Sequence, residues 1–472
     1  MVLTALGYLF APRADPYITA RGFSLAAIAF IAFAVYRLVR RASKGALPAL
    51  LAVALTLSCT DLFRAAISGL ETTAFSAAIV GGWYAYLREP AERRKWSLFA
   101  FLPAALLRID GFVPLLVALG FEVLVAFQER RFSVRAIARW ALPALGIWAL
   151  YFAWRYFYYG LPLPATYYAK TMVTANEPQR GVHQLWAFFH DYGLIAFLPV
   201  AFVPLFWGPR REACALWTAI VLQLGYAAHV GGDWMPFQRF FVPVVPLGGV
   251  LAGYGLDRTW SALRALRPLL AWPLRGAAVA VLGFTAVHMY IGSLDTPEER
   301  EKLGGAQHSE RHTRDNLIRN ADLMRYVIRR PGERLVTDYA GVFSVMTDAA
   351  IIDMWGLCTA DIALHGNIEG INPIYGKACA ECYARLDPEY FHVMVPIVRS
   401  RSAFRNQREV IDAVFQGWAI DRYIGIQQNF VVGRVYENAT GRTLWFLEKR
   451  RAGLSYAARS PANGLVIDYP FG

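Results

Sequence analysis

The sequence is short of charge and shorter still of cysteine. Only 18% of its 472 residues are Asp, Glu, Lys or Arg, while 56% are hydrophobic; a soluble domain is about 45–50% apolar. The apolar excess lies in the first two-thirds, in runs too long and too pure for ordinary core helices. That excludes a soluble protein over most of the length. There are five cysteines, Cys59, Cys214, Cys358, Cys379 and Cys382. Cys379-x-x-Cys382 offers two ligands where a structural zinc takes four. A thioredoxin-like role needs a βαβ setting that the flanking sequence lacks. If the C-terminal part lies outside the cytoplasm, a disulfide between two of Cys358, Cys379 and Cys382 is expected. No G-x-S-x-G, H-E-x-x-H or phosphate-loop motif occurs, nor any internal repeat or low-complexity tract. Residues 1–21 carry no basic n-region and no clear small-residue cleavage site, so they do not read as a cleavable signal.

The net charge of +13 does not point to nucleic acid, because no basic-aromatic platform or reading motif accompanies it. It comes from arginines set between apolar runs. Ten such runs fall at 22–39, 46–58, 72–87, 97–107, 112–127, 140–158, 193–207, 214–230, 240–256 and 276–292. Several are shorter than the ~20 residues that cross a bilayer, and the pair 97–107 and 112–127 reads as broken or re-entrant. Every second loop is basic: Arg37, Arg40, Arg41 and Lys44; Arg88, Arg93, Arg94 and Lys95; Arg130, Arg131, Arg135 and Arg139; Arg210 and Arg211; Arg258, Arg264, Arg267 and Arg275. By the positive-inside rule these five loops are cytoplasmic. The remaining loops then share the outer face, together with the C-terminal tail. The reading is a polytopic α-helical membrane domain of about ten spans over 1–294. A small extracytoplasmic α/β domain follows over 295–472, with a helix at 310–328 and strands at 334–337, 350–354, 391–398, 429–435 and 444–447.

The outer loops hold the unusual polar residues. Glu71 opens the third run after Ser68-Gly-Leu; a carboxylate there either complements the helix dipole or ligates a substrate hydroxyl. Arg108-Ile-Asp110-Gly111 separates two short runs, either as an ion pair closing a tight turn or as the wall of a wet cavity. Charges at membrane depth cost about 2.5–3.5 kcal/mol each on insertion scales, which favours the cavity. In Gly160-Leu-Pro-Leu-Pro-Ala-Thr-Tyr167-Tyr-Ala-Lys170 the prolines force an extended path. Its tyrosines suit an interface or a sugar ring, and Lys170 either snorkels or meets a phosphate. Gly231-Gly-Asp233-Trp234-Met-Pro-Phe-Gln-Arg239-Phe240 reads as an interfacial turn or as a ligand wall, with glycines that admit close backbone approach. Cations for a phosphate, with carboxylates and aromatics for a sugar, fit a lipid-linked phosphosugar. On that reading Asp233 and Glu71 are the catalytic candidates. Arg239, Lys170, Arg108, Asp110, Tyr167 and Trp234 bind substrate, and no residue is assigned to a metal.

Taken in order, these four segments resemble bacterial GT-C-type membrane glycosyltransferases, with greatest similarity to the branch of the terminal arabinofuranosyltransferases. Residues 341–357, with Asp353 and Gly356-Leu357, resemble that branch's extracytoplasmic domain. The resemblance implies a polyprenyl-phosphate sugar donor, a glycan or lipid acceptor outside the cytoplasm, and a place in the bacterial inner membrane. It also implies a carboxylate that activates the acceptor hydroxyl, with cations or a divalent metal stabilising the leaving phosphate. The family carries its main catalytic acids in the loop after its first span. This sequence begins beyond that point, so a truncated chain or a misplaced start is expected, with a non-catalytic member as the alternative. A lipid-linked sugar transporter or flippase is a further alternative. It would show an internal repeat and charges at the midplane.

Overall fold

A computed structural model describes residues 16–43, 45–68, 70–89, 97–130, 133–171, 177–232, 238–264, 268–292, 306–366, 379–392, 405–411, 426–437, 443–462 and 464–470. The chain forms two compact units: Met1–Pro162 with Asn176–Thr296, and Leu163–Ala175 with Pro297–Gly472.

The first unit is helical, and each of the ten apolar runs falls on helix. In chain order these are α1 (Pro16–Ala42), α2 (Leu47–Leu57), α3 (Thr60–Ile67) and α4 (Thr72–Arg88), then α5 (Leu102–Leu107), α6 (Phe112–Gln128) and α7 (Val134–Tyr159). A short helix, α8 (Ala165–Thr171), belongs to the second unit. The first unit resumes with α9 (Glu177–Asp191), α10 (Leu194–Phe206), α11 (Arg210–His229), α12 (Val245–Arg264) and α13 (Pro268–Gly292). By length and composition, Ile18–Ala42 and Ile109–Gln128 are each able to cross a membrane. Counting two bent pairs as single spans raises the number to four among the described residues. The first pair, α2 and α3, is bent by 55° where Cys59 turns extended, and the second, α9 and α10, by 88°. Gly193 makes the second bend with φ of +63°, a conformation that a residue with a β-carbon rarely adopts. Of the pair expected to be broken or re-entrant, the 97–107 run is a 3-10 turn at Ser97–Phe101 followed by α5, whereas 112–127 lies on one unbroken helix, α6.

α4 is apolar on all sides and is accordingly buried in the bundle. Trp83 meets Phe101 edge-on at 5.3 Å and Tyr86 at 5.6 Å. The polar contacts separate by end. Arg211–Glu129 (2.7 Å), Arg41–Glu212 (3.9 Å) and Tyr254–Glu212 (2.9 Å) join the ends that carry basic loops. Arg21 to Ile67 O (2.7 Å) and Arg180 to Gly231 O (2.9 Å) join the opposite ends, and Arg64 pairs with Asp61 (3.4 Å) within α3.

The second unit contains a six-stranded mixed sheet. Its elements are α14 (Ala306–Val327), β1 (Arg334–Thr337), α15 (Ala340–Met346), β2 (Ala350–Asp353), α16 (Ala360–His365), α17 (Ala380–Leu386), β3 (Tyr390–Phe391), α18 (Gln407–Val410), α19 (Ile426–Asn429), β4 (Phe430–Glu437), β5 (Thr443–Lys449) and β6 (Leu465–Asp468). The strand order is β2-β1-β3-β5-β4-β6, with β1 parallel to β2 and β3 and the other pairings antiparallel. Strand alternation splits its core in two. Leu335, Tyr390, Val431 and Phe446 pack on α14, while Val336, Phe391, Val432 and Leu447 pack on α16 and α17. Sequence reading anticipated five of these strands and missed β6, four residues behind a turn-rich stretch. Residues 393–398 of the expected third strand lie outside the described residues, as does the Asn438 sequon.

A buried polar network ties this sheet to the end of α14. Glu448, fully buried, takes Arg329 Nε at 2.6 Å and the Tyr469 hydroxyl. Glu333 accepts from Tyr390 (2.9 Å), Arg451 (2.5 Å) and the backbone of Arg329 and Arg330. Removing one partner leaves a buried charge uncompensated. Glu448→Ala is therefore expected to destabilise this unit by about 3–5 kcal/mol, read as faster hydrogen exchange of β4 and β5 amides in the full-length protein. The Cys379–Cys382 disulfide joins the N-cap of α17 to its first turn, and so decides among the three pairings left open. Closing so short a loop is worth about 2 kcal/mol by chain entropy. Replacing both cysteines by serine should lower the unit's unfolding free energy by that amount in denaturant titration.

Candidate functional site

Three site residues of the first unit, Arg108, Asp110 and Arg239, meet at the ends opposite the basic loops. Arg108 stands in extended backbone between α5 and α6 and grips Asp110 through two bonds of 3.0 and 3.2 Å. The turn is tight because a β-carbon at Gly111 would collide with the Ala104 carbonyl, which explains the glycine of the Arg-x-Asp-Gly motif. The Arg108 guanidinium lies between two rings, 4.8 Å from Phe75 and 4.7 Å from Phe240. Arg239 lies 5.4 Å from the same Phe240 ring. Asp110, only 2% exposed, also accepts from Gln223 Nε2 at 2.6 Å. Gln223 sits six residues before the end of α11, so the cluster is sunk about 9 Å below that end. There a cation is held by a carboxylate and by ring quadrupoles together.

Three separate motifs thus converge: Phe75 from the start of α4, the Arg108–Asp110 turn, and the Arg239–Phe240 pair. Glu71 is one helical turn from Phe75, whose N–H donates to the Glu71 carbonyl at 2.8 Å. Its side chain is exposed and makes no capping bond. Asp233 and Trp234 lie outside the described residues. Lys170 and Tyr167 stand on α8, which packs on α16 in the second unit. Tyr167 is half-buried, edge-on to Tyr168 at 5.7 Å.

Sequence reasoning missed Gln223, Arg180 and Gln184. Gln223 carried a usable signal: an amide inside a pure apolar run needs a buried partner. Arg180 and Gln184 sit on α9 and hold the start of the 231–240 loop. Arg180 bonds Gly231 O, and the side of Gly232 faces Gln184 so closely that a β-carbon would strike its Oε1. Both glycines have positive φ, 81° and 73°. The turn and the closeness of α9 therefore both require a glycine at 232.

Below the polar cluster runs an apolar groove of about 520 Å³ between α6 and α11. Phe112 and Leu222 line its top, two residues from Asp110 and one from Gln223; Leu124 and Cys214 line its foot. Phe112 to Leu124 is twelve residues of helix, about 18 Å. Among the described residues no three His, Cys, Asp or Glu side chains converge to hold a metal ion. Asp110, the carboxylate of the cluster, is already engaged by Arg108 and Gln223, so the residues present do not fit a divalent cation there.

In the second unit Asp353 ends β2 and is 2% exposed. Burial raises its pKa, against backbone N–H bonds from Cys358 (2.8 Å) and Trp355 (3.1 Å). Those bonds shape the Trp355-Gly356-Leu357 turn, which accounts for Asp353 without a substrate.

No protein-family model matches the chain, and no curated protein matches it. Among the solved structures that bear a likeness to it are two of ArnT from Cupriavidus metallidurans. One, bound to undecaprenyl phosphate, is 14% identical with a TM-score of 0.49. The other, in the apo state, is 13% identical with a TM-score of 0.45. Each match covers 94% of this chain and 86% of the other. A likeness of that degree does not by itself establish a shared activity.

Proposed function

We propose that the chain is a membrane glycosyltransferase that moves a sugar from a polyprenyl-phosphate donor to a glycan or lipid acceptor outside the cytoplasm. One observation carries the reading: an apolar groove long enough for several isoprene units begins at a cluster of oriented cations. An isoprenoid chain fills such a groove by apolar burial, and its phosphate then meets Arg239, with Arg108 behind it. Arg239 is the contacting cation. Arg108 is committed to Asp110 and holds the Phe240 ring against which Arg239 lies. Lys170 and Tyr167, on α8 of the second unit, keep only their sequence-based assignment to a phosphate and a sugar ring.

In the reaction the acceptor oxygen attacks the anomeric carbon. The bond from that carbon to the phosphate oxygen breaks, and polyprenyl phosphate leaves with the electron pair. The acceptor's proton passes to a carboxylate, for which Asp233 is the first candidate; Glu71 contacts sugar hydroxyls. The cations lower the barrier by meeting charge as it grows on the leaving phosphate. Placement in a bacterial plasma membrane, with the second unit outside, draws support from the basic loops and from the Cys379–Cys382 disulfide, which persists in oxidising compartments. Among GT-C-type enzymes, the four motifs favour the arabinofuranosyltransferase-like branch.

Arg239→Ala in full-length protein tests the phosphate assignment. Membranes supplied with radiolabelled polyprenyl-phosphate sugars should lose transfer by about 10²–10³-fold, with helical content unchanged. Near-normal turnover would sink the assignment.

A further inference from the structure

Arg108 lies between two rings that come from distant parts of the chain, Phe75 at 4.8 Å and Phe240 at 4.7 Å. The contacts behind both rings lead back to the first turn of α3, where Asp61 and Leu62 are buried. The Leu62 carbonyl accepts from the Thr73 hydroxyl at 3.1 Å, which fixes the start of α4 two residues before Phe75. The Asp61 carboxylate accepts from the Tyr192 hydroxyl. Tyr192, at the bend between α9 and α10, meets Phe188 edge-on at 5.1 Å, and Phe188 stacks on Phe241 at 5.4 Å. The Phe241 N–H donates to the Gln238 carbonyl at 2.8 Å and closes the turn that carries Arg239 and Phe240. Gln238 has φ of +44° in that turn. Such a conformation is uncommon outside glycine and persists only where the surrounding packing enforces it.

A buried carboxylate is a costly way to hold a phenol. An apolar pair of similar volume would pack there without desolvating a charge. Arg64 also reaches Asp61, at 3.4 Å, and offsets part of that cost. What the carboxylate adds is direction. Apolar surfaces slide over one another, whereas a hydrogen bond weakens steeply once its angle is lost. This bond joins the break between α2 and α3 to the bend between α9 and α10, where no continuous helix fixes the direction of the chain. We propose that Asp61 is a positioning residue. Acting through Tyr192, Phe188 and Phe241, it sets the Phe240 ring against Arg108 and thereby aims Arg239, 5.4 Å from the same ring. No contact between Asp61 and substrate is needed. That Arg239 meets a donor phosphate rests on the glycosyltransferase reading above.

The test uses full-length protein in lipid nanodiscs, with para-fluorophenylalanine at position 240 read by fluorine NMR. Tyr192→Phe removes one hydroxyl and leaves Asp61 with Arg64; Asp61→Leu removes the acceptor. Each should shift the fluorine resonance. Asp61→Asn, which still accepts, should leave it in place. In transfer assays with polyprenyl-phosphate sugars, Tyr192→Phe should lower kcat/KM by about 10²-fold, the cost of a misplacement of about 1 Å, with part of the loss as a higher donor KM. A smaller folded fraction would instead scale the maximal rate and leave KM unchanged. Because Asp61→Leu and Tyr192→Phe break the same bond, the double variant should transfer no more slowly than Asp61→Leu alone. If Arg239→Ala keeps full transfer while the resonance still moves in Tyr192→Phe, the donor reading fails and the positioning role stands. A resonance unmoved in Tyr192→Phe overturns the proposal. So does a resonance that moves with the donor KM unchanged, in a protein whose transfer depends on Arg239.

Discussion

Asp110→Ala is expected to destabilise the helical unit by about 3–5 kcal/mol, which places it among the most damaging single substitutions in the chain. Arg108 keeps only 10% of its side chain exposed. Its two bonds to Asp110 are the nearest compensation for its charge. Without the carboxylate, the Gln223 amide also loses its 2.6 Å partner. The measurement is the thermal midpoint in detergent micelles, followed by circular dichroism. An unchanged midpoint would show that the pair is solvated and that the sunken cluster is misplaced. A second variant separates fold from chemistry. Arg108→Met with Asp110→Ala removes both charges, so most of the stability should return. Transfer should not return, since Phe240 has lost the cation that orients it beside Arg239. Recovery of transfer in that double variant would make the whole cluster structural.

The second large effect is on acid stability, and it lies in the second unit. His392 directly follows β3, fully buried, with its ring 4.8 Å from Phe343. Neither ring nitrogen has a hydrogen-bond partner among the described residues. Burial lowers its pKa to about 3 from the ordinary 6.5. The folded state therefore holds the ring neutral where the unfolded chain would protonate it. This stability is fully present above pH 6.5 and is lost as pH falls from 6.5 towards 3, by about 1.4 kcal/mol per unit. Going from pH 6.5 to 5 should thus weaken this unit by about 2 kcal/mol. Denaturant titrations of the full-length protein at the two pH values measure it. His392→Phe keeps a ring against Phe343 and cannot titrate, so its stability should change less over the same interval. Equal pH slopes in the two proteins would place the histidine in contact with water.

The helical character of the first unit was legible because a bilayer demands long apolar runs, and those runs are local. The alternation of basic loops was legible for the same reason, since arginines between apolar runs are a local feature of the chain. In the second unit β1, β2, β4 and β5 could be read from short apolar stretches. β6 could not, because four residues after a turn acquire strand character only by pairing with β4. Nor could parallel pairing of β1 with β2 and β3, which depends on the helices between them.

The site divides along the same line. The motifs around Glu71, Arg108, Lys170 and Arg239 stood out as polar residues at the edges of apolar runs, so composition alone marked them. Their grouping was another matter. Arg108 and Arg239 are brought to one Phe240 ring by helices more than a hundred residues apart, while α8 carries Lys170 into the second unit. Gln223 bonds Asp110 across 113 positions, and Gln184 stands close against Gly232. What the sequence by itself determined is the apolar, helical character of the first unit, the fall in apolar density before the sheet, and the residues that are costly to bury. Only the tertiary structure decided which of those residues share a site, because an isolated charge advertises its cost locally while its partner is chosen by packing.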